Sequence, residues 1–233
     1  MGVNDDTVQP GPKDRSSGLF LRVISAAVLI PPVIGAIYLG SPYFDILVAV
    51  GAVILCWEWY TLCKPHFGWL LVGIPYIGAP TYALIFVRNA PDKGFETVLW
   101  IFVMVWAADT FAYAAGRTFG GPKLAPSISP NKTWSGLFGG VAGAGAVGAI
   151  TALVLNHNSV IPLALVSAAL GAISQGGDLM ESWIKRRFGK KDAGSLIPGH
   201  GGLFDRVDGL LAAALVVALV SIISSKGSIL TWV

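Results

Sequence analysis

Long apolar stretches separated by short polar segments dominate this chain and constrain its fold more than any other feature. Only 12% of its 233 residues are Asp, Glu, Lys or Arg, whereas about a quarter of the residues in a soluble globular domain are charged. A helix needs about 20 mainly apolar residues to cross the hydrocarbon layer of a membrane. We therefore predict an all-α fold, a polytopic integral membrane helical bundle of about seven transmembrane helices. The predicted spans are residues 19–39, 43–63, 69–87, 97–119, 135–156, 160–183 and 205–225.

The polar N-terminal segment differs from the rest of the chain. Residues 1–17 are rich in Pro, Gly, Ser and Asp and are predicted to form a disordered cytoplasmic tail. No small-residue cleavage site follows the first apolar stretch, so we interpret that stretch as a retained membrane anchor. The remaining residues, 18–233, are few enough for a single transmembrane domain.

The basic residues predict the orientation in the membrane, because cytoplasmic loops are enriched in Lys and Arg. With the N-terminus in the cytoplasm, thirteen of the sixteen basic residues fall on the cytoplasmic side, and Arg88, Lys93 and Lys226 fall on the other. This topology explains the net charge of +3 without nucleic acid as a partner. We predict a multi-pass protein of the cell (inner) membrane whose charged helix ends face the cytoplasm.

Four of the carboxylates that interrupt or border the apolar stretches lie near the ends of three predicted helices. A charge at such a position indicates a functional site by default, because it is costly to place in lipid. Asp109 lies in the fourth stretch and Asp178 near the end of the sixth, while Asp205 and Asp208 begin the seventh. All these helix ends point to the same membrane face in the predicted topology. We therefore expect the four carboxylates to converge on one site.

Helical periodicity adds polar partners to two of these carboxylates. Residues three or four apart lie on the same face of a helix. Two polar stripes are therefore predicted, formed by Asp109, Tyr113 and Arg117 on the fourth helix and by Asp178, Ser182 and Lys185 on the sixth.

The chemistry of these side chains favours a divalent cation together with phosphate groups. Carboxylate oxygens suit Mg²⁺, which proteins usually hold through one or two carboxylates, with phosphates and water completing the shell. We predict Asp178, Asp205 and Asp208 as the ligands, with a second cation left open. The turn at Gly201-Gly202 exposes backbone N–H groups at a helix N-terminus, which favours an anion. The cations predicted to offset phosphate charge are Lys132, Lys185, Arg186, Lys191 and Arg206.

Structural explanations compete with several of these assignments. Asp205 and Asp208 could act only as caps at the start of the seventh helix. For Glu58, an interhelical hydrogen bond is as reasonable as a chemical role. Lys190 and Arg187 are interpreted mainly as solvated charges that set the topology.

The fifth apolar stretch is unusually rich in glycine. Glycines spaced about four apart let helices approach closely in lipid. Helix packing within one subunit is the favoured interpretation, and a subunit interface in a homodimer is the alternative. The glycines concerned are Gly136, Gly139, Gly140, Gly143, Gly145 and Gly148.

The segment Ser182–Asp208, SWIKRRFGKKDAGSLIPGHGGLFDRVD, resembles the signature of the phosphatidate cytidylyltransferases, also called CDP-diacylglycerol synthases. Two further blocks are similar to this family, and together they extend the resemblance over about residues 100–210. Ser135 departs from the pattern, since an acidic residue is expected there. The matching positions of the first block are Ser182, Lys185-Arg186, Lys191-Asp192, Gly194, Pro198, His200-Gly201-Gly202, Asp205-Arg206 and Asp208. Those of the second are Asp109-Thr110, Ala112-Tyr113, Gly116-Arg117, Gly120, Lys123-Leu124, Pro126 and Ser129-Pro130-Asn131-Lys132-Thr133, and those of the third are Gln175-Gly176-Gly177-Asp178 and Glu181-Ser182.

This resemblance implies the reaction of CTP with phosphatidic acid to give CDP-diacylglycerol and pyrophosphate. Residues 18–233 would then be a catalytic domain with a cytoplasmic-face active site and Mg²⁺, and the acyl chains would stay among the membrane lipids. The implied catalytic residues are Asp178, Asp205, Asp208, Lys185 and Arg206. The implied substrate-binding residues are Asp109, Arg117, Asn131, Lys132, Ser182, Arg186, Lys191, Asp192, His200, Gly201 and Gly202.

Two other functions remain to be distinguished. A CTP-dependent kinase of a polyprenol or phytol-type alcohol would pass on the γ-phosphate and would need a base for the alcohol. A transporter is expected to carry charges along the helices through the midplane, whereas the charges here gather at one face. The lipid product formed from labelled CTP separates the three hypotheses.

Overall fold

The computed structural model describes residues 12–156, 159–196, 201–224 and 227–231. Within these ranges, seven α-helices are joined by short connections, with one β-hairpin between the fourth and the fifth. The elements in chain order are α1 (Pro12–Leu39), α2 (Tyr43–Cys63), α3 (Phe67–Arg88), α4 (Gly94–Phe119), β1 (Lys123–Ala125), β2 (Ser129–Thr133), α5 (Trp134–Val154), α6 (Val160–Arg187), α7 (Phe204–Ser224) and a 3₁₀ turn at Ile229–Thr231.

The prediction of an all-α polytopic membrane fold is confirmed. Among the described residues, six helices, α2 to α7, are long and apolar enough to span a membrane. The first helix contains a shorter apolar segment, Ala27–Leu39, and its helical structure begins at Pro12. Part of the predicted tail, residues 12–17, is therefore helical, while residues 1–11 lie outside the described part of the chain. The division into tail and membrane domain stays a prediction.

The outer surface of the bundle is apolar, as expected for helices that face lipid. Large side chains such as Val53, Ile161 and Ile223 are 70–80% exposed. The buried core is apolar as well, with Met104 of α4 and Val217 of α7 fully enclosed. Because lipid is as apolar as this core, close packing rather than water exclusion must hold the helices together.

Glycines of α5 provide that close packing within the chain. A Cβ on Gly140 would lie 2.8 Å from the carbonyl oxygen of Ala108 on α4. A Cβ on Gly148 would lie 2.5 Å from the carbonyl oxygen of Leu163 on α6. Helix α5 is therefore seated between α4 and α6, and the interpretation of its glycines as packing sites within one subunit is confirmed. The homodimer stays a prediction.

The hairpin formed by β1 and β2 was not predicted. It lies between the predicted spans 97–119 and 135–156, where only a loop was expected. Lys123 faces Thr133 and Ala125 faces Ser129 in an antiparallel pair. Prolines at 122, 126 and 130 hide the alternation typical of strands, and they are tolerated because both strands are edges. The hairpin is closed at its base by Ser135, whose Oγ donates to the carbonyl oxygen of Gly120 at 2.5 Å.

Candidate active site

A polar cavity of about 730 Å³ opens where the ends of α4, α6 and β2 meet the starts of α5 and α7. Asp192, in the segment between α6 and α7, also lines it. The convergence expected from the sequence is thus present in the structure. The predicted site residues that line the cavity are Asp109, Arg117, Asn131, Lys132, Asp178, Lys185, Asp192, Asp205, Arg206 and Asp208.

The other predicted site residues lie elsewhere. Ser182 is one turn beyond Asp178, and its Oγ donates to Asp178 Oδ1 at 3.3 Å. His200 lies outside the described residues. Predicted site residues that are described but do not line the cavity are Ser182, Arg186, Lys191, Gly201 and Gly202.

Three carboxylates form a cluster that could hold a metal ion. One oxygen each from Asp178, Glu181 and Asp208 lie within 4.8 Å of one another. Glu181 is only 2% exposed, and its Oε1 has no hydrogen-bond partner among the described residues. A buried carboxylate oxygen without a donor is costly, so a cation between these groups would stabilise the site. Glu181 thus joins two of the three predicted ligands.

Asp205 has a different environment from the one predicted. Its Oδ1 lies 2.5 Å from Lys185 Nζ. Its Oδ2 accepts hydrogen bonds from the backbone N–H groups of Gly202 at 2.8 Å and Ala193 at 3.1 Å. Asp205 therefore caps the start of α7, as the structural alternative proposed, and fixes the preceding segment. Its role as a metal ligand stays a prediction.

Lys185 connects the cluster to this cap. Its Nζ lies 2.5 Å from Glu181 Oε2 and 2.5 Å from Asp205 Oδ1, and the residue is only 8% exposed. The one-turn spacing of Glu181 and Lys185 places both on the same face of α6. A buried ion triad, formed by Glu181, Lys185 and Asp205, thus joins α6 to α7.

Glu58 holds the same helix start from the far side of the bundle. It is fully buried, and its two carboxylate oxygens accept the backbone N–H groups of Leu203 and Phe204, each at 2.8 Å. The hydrogen-bonding interpretation of Glu58 is confirmed, with main-chain donors as its partners. Because the first N–H groups of a helix lack partners within it, this contact fixes where α7 begins.

Lys132 enters the cavity from the hairpin. Its Nζ lies 2.7 Å from Asp178 Oδ2 and 3.4 Å from the carbonyl oxygen of Gln175. Its side chain is 20% exposed, so its charge remains open to the cavity. Asn131, beside it on β2, is exposed.

Arg117 lies on the exposed rim, two turns along α4 from Asp109. Its Nη1 donates to Tyr113 Oη at 2.6 Å. All three residues line the cavity, which confirms that they share one helix face. Tyr113 is 66% exposed, and Phe138 of α5, close in sequence to the cavity-lining Leu137, is 65% exposed. The exposed aromatic ring of Tyr113 therefore lies at the charged rim of the cavity.

Glu181 of the acidic cluster and Gln175 of the cavity lining were not predicted as site residues. Glu181 follows Asp178 by three residues, so helical spacing alone indicated that it shares the face of a predicted ligand. Gln175 precedes Asp178 by three residues. The three-residue spacing of each from Asp178 was the available signal.

Fold and site together define a class: a polytopic membrane protein with a charged cavity and an acidic cluster that could hold a metal ion. Residues 63–223 match the sequence model of the Cytidylyltransferase family. This match covers more than half of the chain, and the chain therefore belongs to that family.

Curated relatives point the same way. The phosphatidate cytidylyltransferase of Brucella abortus biovar 1 (strain 9-941) is 44% identical over 185 residues, which are 79% of this chain and 67% of that protein. The proteins of the same name from Rickettsia bellii (strain RML369-C) and Rickettsia felis (strain ATCC VR-1525 / URRWXCal2) are 38% and 37% identical. The chain covers 90% and 95% of their lengths, and 87% and 91% of its own length is matched. It spans about two thirds of the length of the Brucella protein.

Proposed function

We propose that this chain transfers the cytidylyl group of CTP to phosphatidic acid, giving CDP-diacylglycerol and pyrophosphate. The observation that carries the proposal is the cavity itself, which Asp178 and Asp208 of the acidic cluster line together with cations from α4, β2, α6 and α7. Membership of the cytidylyltransferase family supports CTP as the nucleotide substrate. The exposed aromatic side chains of α4 and α5 support a lipid as the second substrate.

This reaction depends more on alignment of the two substrates than on covalent chemistry by the protein. An oxygen of the lipid phosphate attacks the α-phosphorus of CTP, a new P–O–P bond forms, and the bond to the β-phosphate breaks as pyrophosphate leaves. The attacking phosphate is already ionised near neutral pH, so no strong base is needed. Catalysis then depends on orientation of two polyanions and on neutralisation of their charge.

Mg²⁺ fits the acidic cluster on the chemistry of its donors. Asp178, Glu181 and Asp208 would hold it, since hard carboxylate oxygens are the ligands that this ion prefers. When bound, the ion would draw the phosphates of the nucleotide together and reduce their repulsion. A second cation would have to share these ligands or use Asp109, which lines the same cavity.

The basic side chains of the cavity fall into two groups by position, one beside the acidic cluster and one on the rim. Lys132 and Arg206 line the cavity beside the acidic cluster, where they would bind the triphosphate. Arg117, on the rim with Tyr113, would bind the phosphate of the lipid. Its planar guanidinium group can pair with phosphate through two parallel hydrogen bonds. The acyl chains would then lie against the exposed aromatic side chains of α4 and α5.

The protein is proposed to lie in the cell (inner) membrane with this cavity facing the cytoplasm, where CTP is available. The asymmetric distribution of basic residues supports this orientation. A cysteine placed at Lys190, in a variant lacking Cys56 and Cys63, should react with an impermeant thiol reagent only after the membrane is opened. Labelling of intact cells at this position would contradict the orientation.

The decisive assay uses CTP labelled at different phosphates. Purified protein in detergent, with phosphatidic acid and Mg²⁺, should yield a labelled lipid from α-labelled CTP and none from γ-labelled CTP. A lipid kinase would give the opposite pattern with an alcohol acceptor. The Asp178→Asn variant serves as the matched inactive control. No labelled lipid from wild-type protein under either condition would contradict the proposed function.

A further inference from the structure

The hairpin that carries Lys132 is attached to α6 at two separate points. At the cavity, Lys132 Nζ contacts Asp178 Oδ2 at 2.7 Å. At the hairpin turn, the carbonyl oxygen of Ile128 accepts a hydrogen bond from Arg186 Nε at 3.2 Å. The two attachment points on the hairpin are thus four residues apart, and those on α6 are eight residues apart.

These two spacings match in length. Eight residues of α-helix rise by roughly 12 Å, and four residues of strand span roughly 13 Å. The segment from Ile128 to Lys132 therefore runs beside the last turns of α6 in the opposite direction. Each end of that segment is held by one side chain.

A second contact of Arg186 strengthens the outer attachment. Its Nη1 donates to the carbonyl oxygen of Lys190 at 3.1 Å, while Lys190 Nζ donates to the carbonyl oxygen of Thr61 at the end of α2 at 2.7 Å. The guanidinium group thus joins the hairpin turn to the segment that follows α6. Arg186 does not line the cavity, and two of its donors are directed at main-chain carbonyl oxygens.

We propose that Arg186 is a positioning residue, which holds the register of β2 against α6 so that Lys132 points at Asp178. This reassigns a cation of the signature segment from phosphate binding to placement of another cation. The register matters because successive side chains of a strand point to opposite faces. A slip by one residue would turn Lys132 away from the cavity and bring a neighbour in its place.

A ligand-free measurement tests the anchoring directly. In a variant lacking Cys56 and Cys63, Ile128→Cys places a thiol at the hairpin turn and keeps the carbonyl that Arg186 binds. Arg186→Gln should raise the alkylation rate of this thiol several-fold in detergent without nucleotide. Arg187→Gln, which removes an exposed charge from the next residue, should leave the rate unchanged. Equal rates in the two variants would overturn the proposal.

A double-mutant cycle tests whether Arg186 acts through Lys132. The activity readout rests on the proposed function. We expect Arg186→Gln to lower kcat/KM for CTP roughly tenfold or more, because small misplacements of a catalytic group cost this much. The same substitution in a Lys132→Gln background should have almost no further effect. Two effects that multiply would mean independent contacts with substrate and would overturn the proposal.

Arg186→Lys covers the case in which Arg186→Gln does not fold. Lysine keeps the charge but not the fork that reaches two carbonyl groups, so alkylation of the cysteine at 128 should still accelerate. If lysine gave wild-type alkylation and activity, bulk charge would suffice and the anchoring would be refuted. If wild-type protein formed no CDP-lipid at all, the proposed function would fail, while the alkylation comparison would still decide the anchoring.

Discussion

Two lysines that line the same cavity differ in their burial and in their ion-pair partners. Lys185 of α6 is 8% exposed and lies 2.5 Å from two carboxylates, those of Glu181 and Asp205. Lys132 of β2 is paired with Asp178 in the part of the chain that the structure describes, and its side chain is 20% exposed. Both were predicted from sequence as cations that contact phosphate. The structure separates them into one that joins helices and one that is available to substrate.

The two lysines differ in the environment of the carboxylates that would be left unpaired if the lysine were removed. Loss of one member of a buried ion network leaves uncompensated charge inside the protein, which destabilises the fold. Loss of Lys132 leaves the partly exposed carboxylate of Asp178, which cavity water can solvate, so the fold should be spared and only the charge toward the cavity lost. Substitutions at the acidic cluster, Lys185, Lys132 and Arg117 are expected to test this difference, with effects that decrease in that order.

The largest effect is expected from the acidic cluster. Asp178→Asn and Asp208→Asn should each lower turnover roughly a thousandfold, because each removes charge from the group that would hold the cation. Thermal unfolding of the purified protein in detergent should stay near that of wild type for Asp178, which is partly exposed. Asp92→Asn, an exposed carboxylate between α3 and α4, is the control. Turnover of Asp178→Asn within a few-fold of wild type would remove it from the metal site.

Lys185→Gln should act first on stability. It leaves the buried carboxylates of Glu181 and Asp205 facing each other, which is expected to cost about 3–5 kcal/mol of unfolding free energy. Differential scanning of the detergent-solubilised protein should therefore show a clear drop in Tm. Arg187→Gln removes an exposed charge at the same helix end and should change Tm little. A wild-type Tm for Lys185→Gln, combined with lost activity, would make Lys185 a substrate-binding residue after all.

Lys132→Gln should reverse that pattern. We expect kcat/KM for CTP to fall roughly a hundredfold, which is typical for loss of a direct contact to a reacting phosphate, while Tm stays close to wild type. Lys123→Gln is a matched control, because Lys123 is exposed on β1 of the same hairpin and does not line the cavity. Equal losses of activity in both variants would indicate a general effect of hairpin charge instead.

Arg117→Lys should give the smallest effect and the most selective one. It keeps the charge on the rim but loses the planar fork, so KM for phosphatidic acid should rise roughly tenfold while KM for CTP changes little. Tyr113→Phe, which removes only the hydroxyl that accepts from Arg117, should reproduce part of this rise. A selective increase in KM for CTP would move Arg117 to the nucleotide side of the cavity.

Much of the fold follows from local properties of the sequence. The predicted span 43–63 coincides with α2 (Tyr43–Cys63), and the predicted span 205–225 differs by one residue from α7 (Phe204–Ser224). Both outcomes have the same cause, since the length of an apolar run is set by the thickness of the membrane. The shared face of Asp109, Tyr113 and Arg117 was likewise predictable, because the helical period depends only on spacing.

The hairpin and the ion-pair partners of the charged side chains could not be predicted from local properties of the sequence. Prolines hid the strand pattern between residues 122 and 130, and nothing local indicated that Ile128 would lie beside Arg186. Asp205 was predicted as a metal ligand, whereas Glu181 had no predicted role. In the described part of the chain, Asp205 has backbone donors from Ala193 and Gly202, and Glu181 Oε1 has no hydrogen-bond partner. Spacing along one helix cannot tell which of two nearby carboxylates meets a donor on another element.

The sequence by itself determined the membrane helices, the polar faces that they carry and the end of the bundle at which the charges gather. The tertiary structure decided which charges neutralise each other and which remain open to substrate. The physical reason is that ion pairing and hydrogen bonding act over a few ångströms between atoms that the chain brings together from far apart. Glu58, which fixes the start of α7 through Leu203 and Phe204 about 145 residues away, is the clearest case.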